Sequence, residues 1–369
     1  MLPLLFLPAA IQPAAPPKLT DADLAAILEP IRKKHGVPAL AAALVLSGRI
    51  VATAAVGVRK WGDATPVTVD DEFHLGSITK SMTATVVEML VHEGKLKWDM
   101  TPLDVFPELA RKIDPAFRAV TLRQFACHRS GIAQTNAWAA GSFEQQADDQ
   151  VGARYRFVAS LLAQKPIFPP GSKYEYSNNG YILLGAVAEK VTGRPWEQLI
   201  RTMIFKPLGM RTGGFGPMGT PGKIDQPWQH VPQDGKPQPR ENVPADDNPP
   251  VLNPAGRVHC SIGDLAKYVL FHLDGEAGES KVLTKDEFTL LHTAQFGGEY
   301  AFGWLVLDRG WADHRALFHN GSNNMNFAAV WMAPSCRFGA MAACNMGGEE
   351  ASNACDDAVA ALVEKGLGR

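Results

Sequence analysis

Ser77 and Lys80 stand three positions apart in the run Phe73-His74-Leu75-Gly76-Ser77-Ile78-Thr79-Lys80-Ser81-Met82. If that run opens a helix, the two side chains share a face about one turn from each other. A primary amine taken out of water there loses its proton more readily and can accept one from the hydroxyl. The helix N-terminus would favour the negative charge that develops on an attacked carbonyl. This is the chemistry of an activated serine nucleophile. The same residues also read as a helix cap followed by a solvated lysine. Ser-x-x-Lys arises by chance roughly once in a chain of this length, so the rest of the sequence has to choose.

The elements around that run are legible in outline. A strand-like segment ends near Phe73, and Met82, Val86, Met89 and Leu90 fall at helical spacing after it, which predicts a helix with one buried face ending near Gly94. Upstream, residues 20–34 read as a helix with Thr20 and Asp23 as a capping box, kinked or shortened by Pro30. Residues 39–46 and 50–56 form a plausible hairpin about Ser47-Gly48-Arg49. Downstream, residues 121–128, 150–164, 181–192, 261–273 and 284–292 read as helices. Between them, residues 211–256 are dense in proline and glycine with almost no periodicity, as in a functional lid or binding wall. Residues 302–307, 316–319, 327–332 and 338–344 look like strands, and 351–364 like a last helix. Strands at both ends predict an α+β fold: one sheet built from the two chain ends, a helical insert between them, and the site at the seam.

Two more stretches carry chemistry. Tyr176-Ser177-Asn178 precedes Asn179-Gly180, and His319-Asn320-Gly321-Ser322 ends a predicted strand. Singly, each has a plain reading: a partly buried tyrosine, a turn shaped by Asn178 and Asn179, a satisfied strand-end histidine. Their ordered co-occurrence with Ser-x-x-Lys favours a shared site.

The three motifs together resemble the serine β-lactamase and penicillin-binding-protein superfamily, in its class C-like branch, which also holds D-alanyl-D-alanine carboxypeptidases, D-aminopeptidases and β-lactamase-like carboxylesterases. The resemblance spans about residues 20–365. Smaller matches are the helix ending in His128-Arg129-Ser130-Gly131, the run Pro254-Ala255-Gly256, and Phe302-Gly303-Trp304. It implies a β-lactamase-like fold: an antiparallel sheet from both chain ends, flanked by helices, with a mostly helical insert. One domain over 18–369 is expected, its α/β part at about 18–95 and 296–369 and the insert at about 96–295.

Carried over by position, the resemblance makes Ser77 the acylated nucleophile, Lys80 its base or proton relay, and Tyr176 the group that takes or returns the leaving-group proton. A phenol of pKa ~10 needs cationic neighbours to act as a base at neutral pH, and a lysine and a histidine nearby could supply them. Asn178 would hold the substrate amide or the Lys80 ammonium. His319, Asn320, Gly321 and Ser322 would line the substrate, with the backbone N–H groups of Ser77 and Ser322 as the oxyanion hole. The third motif departs from the Lys-Thr-Gly of β-lactamases. Histidine at its first position looks like the esterase and D-aminopeptidase side of the family and weakens the case for β-lactam hydrolysis. A carboxylesterase-like activity is therefore expected, with a carboxypeptidase, a weak β-lactamase or a non-catalytic acyl- or peptidoglycan-binding member as alternatives. No Gly-x-Ser-x-Gly occurs, so the nucleophile elbow of Ser-His-Asp hydrolases is missing.

Composition narrows the partners. A net charge of -2 argues against nucleic acid and against an anionic membrane surface. No apolar run reaches spanning length. Residues 1–17 read as a leader or a disordered tail; the leader reading, although Pro3 and Pro8 interrupt it and no basic residue precedes it, points to a periplasmic or secreted monomer. The expected partner is a small-molecule or peptide ester or amide, with no cofactor and no metal, since no Cys or His spacing suits one. Of five cysteines, Cys336 and Cys344 flank one strand roughly 26 Å long and cannot bridge. Cys344 with Cys355 is the sequence-near pair that could close, but small buried thiols are the preferred reading.

Overall fold

The structure, a computed structural model, describes residues 19–134 and 149–368, so the segment read as a leader or tail lies outside the described residues. Helix α1 (Asp21–Lys34) starts at the predicted capping box, Thr20 with Asp23, and runs on through Pro30. Strands β1 (Ala39–Leu46) and β2 (Arg49–Gly57) form the predicted hairpin. The chain then builds α2 (Thr79–His92), α3 (Leu122–Ala126), α4 (Asn178–Thr192) and α5 (Ile262–Glu276). It closes with β3 (Leu305–Leu307), β4 (Ala316–Ser322), β5 (Phe327–Ala333), β6 (Phe338–Cys344) and α6 (Glu349–Leu367).

The two chain ends share one six-stranded antiparallel sheet in the order β2-β1-β6-β5-β4-β3. β1 is Ala-Leu-Ala-Ala-Ala-Leu-Val-Leu and is buried along its whole length, because both faces of the sheet are covered. Leu40, Leu44, Phe338 and Ala342 face a core shared with Leu24 and Leu28 of α1 and Ala354 and Leu362 of α6. Ala41, Ala43 and Met341 face the larger core with Val269 and Leu273 of α5.

Several elements differ from the sequence reading. α2 is buried on all sides from Thr79 to Leu90, not on one face, because α4, the turn Asn253–Gly256 and the helix Lys285–Leu291 enclose it. Its polar residues survive there because they are hydrogen-bonded: Thr83 Oγ1 donates to the Pro254 carbonyl at 2.6 Å and Thr85 Oγ1 to that of Ser81 at 2.8 Å. α4 begins at Asn178, three residues before the predicted start, so Asn178 is helical and not part of a turn. The strand expected over 302–307 shrinks to β3, since Phe302 turns inward onto Trp98, ring centroids 4.4 Å apart. The stretch 211–256 carries a two-stranded ribbon, Gln229–Gln233 with Lys236–Arg240, in which Pro232 faces Pro237. A two-stranded ribbon has no central strand, so it tolerates prolines that an interior strand would not.

Cys127, Cys260, Cys344 and Cys355 are buried free thiols. No helix among the described residues is long and apolar enough to cross a membrane.

Candidate active site

Ser77 sits in a short 3-10 turn, Gly76–Ile78, that runs directly into α2. One helical turn on, Lys80 is fully buried and its Nζ lies 2.9 Å from Ser77 Oγ. Its other two partners come from distant segments: Asn178 Oδ1 at 2.7 Å, from the first turn of α4, and the Ala255 carbonyl at 2.7 Å. Both accept only, so a neutral amine can give them its two N–H groups and turn its lone pair to the Ser77 hydroxyl. Burial favours that state, pushing the Lys80 pKa well below its ordinary 10.5. Tyr176 OH donates to Ser77 Oγ at 2.7 Å, and Lys80 Nζ stands 4.8 Å from the centroid of its ring.

The cationic neighbours that would make Tyr176 a base are not supplied by histidine. Burial pushes the Tyr176 phenol up, outweighing the hydrogen bond to Ser77 that lowers it. Burial, then the Lys80 charge, pushes His319 down to about 3. His319 Nδ1 donates to the Asn320 carbonyl at 2.5 Å, and in the neutral ring that burial favours Nε2 accepts from Tyr300 OH at 3.0 Å. His128 is likewise held well below its ordinary value, by burial and then by Lys80 and His319. Its ring packs 4.4 Å from that of Tyr176 and 4.5 Å from that of Tyr300. His128 adopts a left-handed φ of 57°, just past the C-cap of α3, and its Nδ1 accepts from Ser177 N at 3.2 Å. Tyr176 is therefore a neutral proton donor in the resting site.

The third motif forms the end of β4, which runs along the Ser77 turn. Gly76 has φ +50°, and a Cβ there would lie 2.2 Å from Ser322 N; a Cβ on Gly321 would lie 2.4 Å from Ser77 N and 2.0 Å from the Leu75 carbonyl. The two glycines let the strand and the turn touch, which places the Ser77 and Ser322 backbones side by side. Ser322 Oγ is turned away, donating to the Asn326 carbonyl at 2.6 Å. Asn320 has an exposed side chain on the strand face opposite His319, and its carbonyl accepts from His319 Nδ1.

Gly321→Ala is expected to lower kcat by about 100-fold, because the added methyl must push the turn and strand apart by a sizeable fraction of an ångström. Steady-state kinetics beside a thermal melt test it; a folded variant with wild-type kcat would show that the close approach is not needed.

Tyr300, His128 and the Ala255 carbonyl were missed as site groups. His128 and Ala255 lie within stretches singled out in the sequence and Tyr300 lies just before one, but no local pattern marks a ring or a carbonyl that acts across segments. Among the described residues, no group of His, Cys, Asp and Glu is placed to hold a metal ion.

A family model described as Beta-lactamase matches residues 24–365. Penicillin-binding protein 4 of Amycolatopsis lactamdurans is 28% identical over 82% of this chain and 80% of its own length. Esterase EstB of Burkholderia gladioli is 29% identical over 59% of this chain, which spans 56% of the esterase. A solved D-stereospecific amidohydrolase from a Streptomyces species superposes with a TM-score of 0.70 at 24% identity, over 94% of this chain and 98% of that one.

Proposed function

Given that this chain belongs to the beta-lactamase family of serine hydrolases acting on esters or amides, we propose that it hydrolyses a carboxylic ester through an acyl-enzyme on Ser77. The observation that carries this is the pair of contacts on Ser77 Oγ, with Lys80 Nζ at 2.9 Å and with Tyr176 OH at 2.7 Å. In acylation Ser77 Oγ attacks the carbonyl and its proton passes to the Lys80 lone pair. The oxyanion forms against the Ser77 and Ser322 N–H groups. As the carbonyl–oxygen bond breaks, Tyr176 gives its phenolic proton to the departing alkoxide, and the Lys80 ammonium refills the phenolate. Water then attacks the acyl carbonyl, passing its proton through the same pair to Ser77 Oγ as that leaves. The net reaction is ester plus water to acid plus alcohol.

An amide would use the same groups, since Tyr176 is placed to protonate a leaving nitrogen. The third motif bears on substrate charge. His319 is neutral and engaged on both ring nitrogens, so this strand offers no fixed charge to a substrate carboxylate. Lacking one charge-assisted hydrogen bond costs ~1.5–3 kcal/mol, roughly 10- to 150-fold in kcat/KM. An uncharged ester escapes that penalty. The expected result at pH 7.5 is ready hydrolysis of p-nitrophenyl butyrate with poor turnover of a chromogenic cephalosporin. A tenfold preference for the cephalosporin would overturn the esterase reading.

A further inference from the structure

Three segments far apart in sequence set the backbone of the site: the turn before Ser77, the turn Asn253–Gly256 that offers its Ala255 carbonyl to Lys80, and the hairpin after Ser322. One carboxylate touches all three. Asp247 lies in the proline-rich stretch, with its side chain only 1% exposed. Its Oδ2 accepts from Arg257 Nε at 3.0 Å, its Oδ1 accepts from Asn323 Nδ2 at 3.2 Å, and the same Oδ1 lies 3.5 Å from His74 Nε2.

Each partner leads on to the site. His74 is buried, and its Nδ1 accepts the backbone N–H of Gly76 at 3.1 Å. Arg257 Nη1 donates to Asn253 Oδ1 at 2.7 Å, at the start of the turn that carries Ala255. Asn323 Oδ1 accepts from Asn326 N at 2.9 Å and Met325 N at 3.2 Å, closing the hairpin next to Ser322.

We infer that Asp247 is a positioning residue for acyl transfer, acting through His74 on the Gly76–Ser77 turn and through Arg257 and Asn323 on the other two segments. The inference rests on Ser77 as the nucleophile. Because Gly76 N–H donates to Nδ1, that nitrogen carries no proton and the ring N–H is on Nε2, facing Asp247. An ionised carboxylate can only accept, so it selects that tautomer. With the proton on Nδ1 instead, two N–H groups would oppose each other and Gly76 would lose its acceptor. The turn is already in contact with Gly321, so any shift of Gly76 moves Ser77 N against Ser322 N. Burial pushes the Asp247 carboxyl up, but the imidazole, guanidinium and amide around it hold it well below the usual carboxylate range.

The test uses the full chain, p-nitrophenyl butyrate as substrate, and rates normalised to Ser77 titrated with a fluorophosphonate. Asp247→Asn and His74→Leu are each expected to lower kcat by about 100-fold with KM within about twofold, since alignment counts in the transition state more than in ground-state binding. His74→Asn, whose Oδ1 can replace Nδ1 as the acceptor for Gly76, should recover most of the His74→Leu loss. Wild-type kcat in folded Asp247→Asn, or a loss confined to KM, would overturn the inference. The imidazole 15N shifts of wild-type His74, assigned by through-bond correlation to its own backbone, are expected to report the Nε2–H tautomer, and Nδ1–H would overturn it even if no variant folds. A wild type that neither labels at Ser77 nor hydrolyses the ester would instead sink the nucleophile assignment, leaving the tautomer to judge Asp247.

Discussion

Ser77→Ala is expected to abolish covalent labelling and to cut ester turnover by about 10⁴-fold or more, with the fold intact. The fold should hold because the Ser77 hydroxyl caps nothing: the 3-10 turn has no side-chain cap bond, and the hydroxyl meets only the Lys80 amine and the Tyr176 phenol. Without it, a neutral Lys80 keeps both of its obligate acceptors, Asn178 Oδ1 and the Ala255 carbonyl. Tyr176 loses one partner at a partly exposed site where water can replace it, so the stability change should stay within about 1 kcal/mol. Intact mass after fluorophosphonate treatment reads the adduct directly, and a thermal melt checks the fold. A pure Ser77→Ala preparation that kept more than a few per cent of wild-type turnover would rule out the acyl-enzyme.

The second large effect concerns proton traffic. Lys80→Ala and Tyr176→Phe should each slow acylation by about 10²- to 10⁴-fold. Because the proton taken by Lys80 is the one that refills Tyr176, the double variant should be little worse than either single one. Additive losses in log rate would show two separate roles and defeat the shared relay. The pH profile supplies a further check. The active lysine is the neutral amine, so kcat/KM should fall as pH drops through the Lys80 pKa, and burial sets that limb well below the ordinary 10.5. Lys80→Arg keeps a cation but cannot release its proton at working pH, so it should be as inactive as Lys80→Ala. An active Lys80→Arg enzyme would mean that charge, not basicity, is what this position supplies.

What the sequence determined by itself is what lies within a turn or two of chain. Three-residue spacing puts Ser77 and Lys80 on one face wherever a helix forms. The capping box at Thr20 and Asp23 needs no distant partner, and the runs at 39–46 and 50–56 about Ser47-Gly48-Arg49 announce a hairpin. The strand-like runs at both ends carried the sheet shared by the two chain ends, and the ordered motifs carried the family. Only the tertiary structure decided how the site is held and what charge it carries. Lys80 meets acceptors 98 and 175 positions away, and Tyr176 reaches Ser77 across 99. No local pattern encodes a carbonyl such as that of Ala255. Burial and then Lys80 push His319 below its ordinary value, and neither is revealed by its neighbours in sequence. Asp247 is the extreme case, one acid in a stretch without periodicity. Its significance comes from the donors that the fold gathers around its carboxylate, and hydrogen bonding between segments depends on where the chain returns, not on what adjoins it.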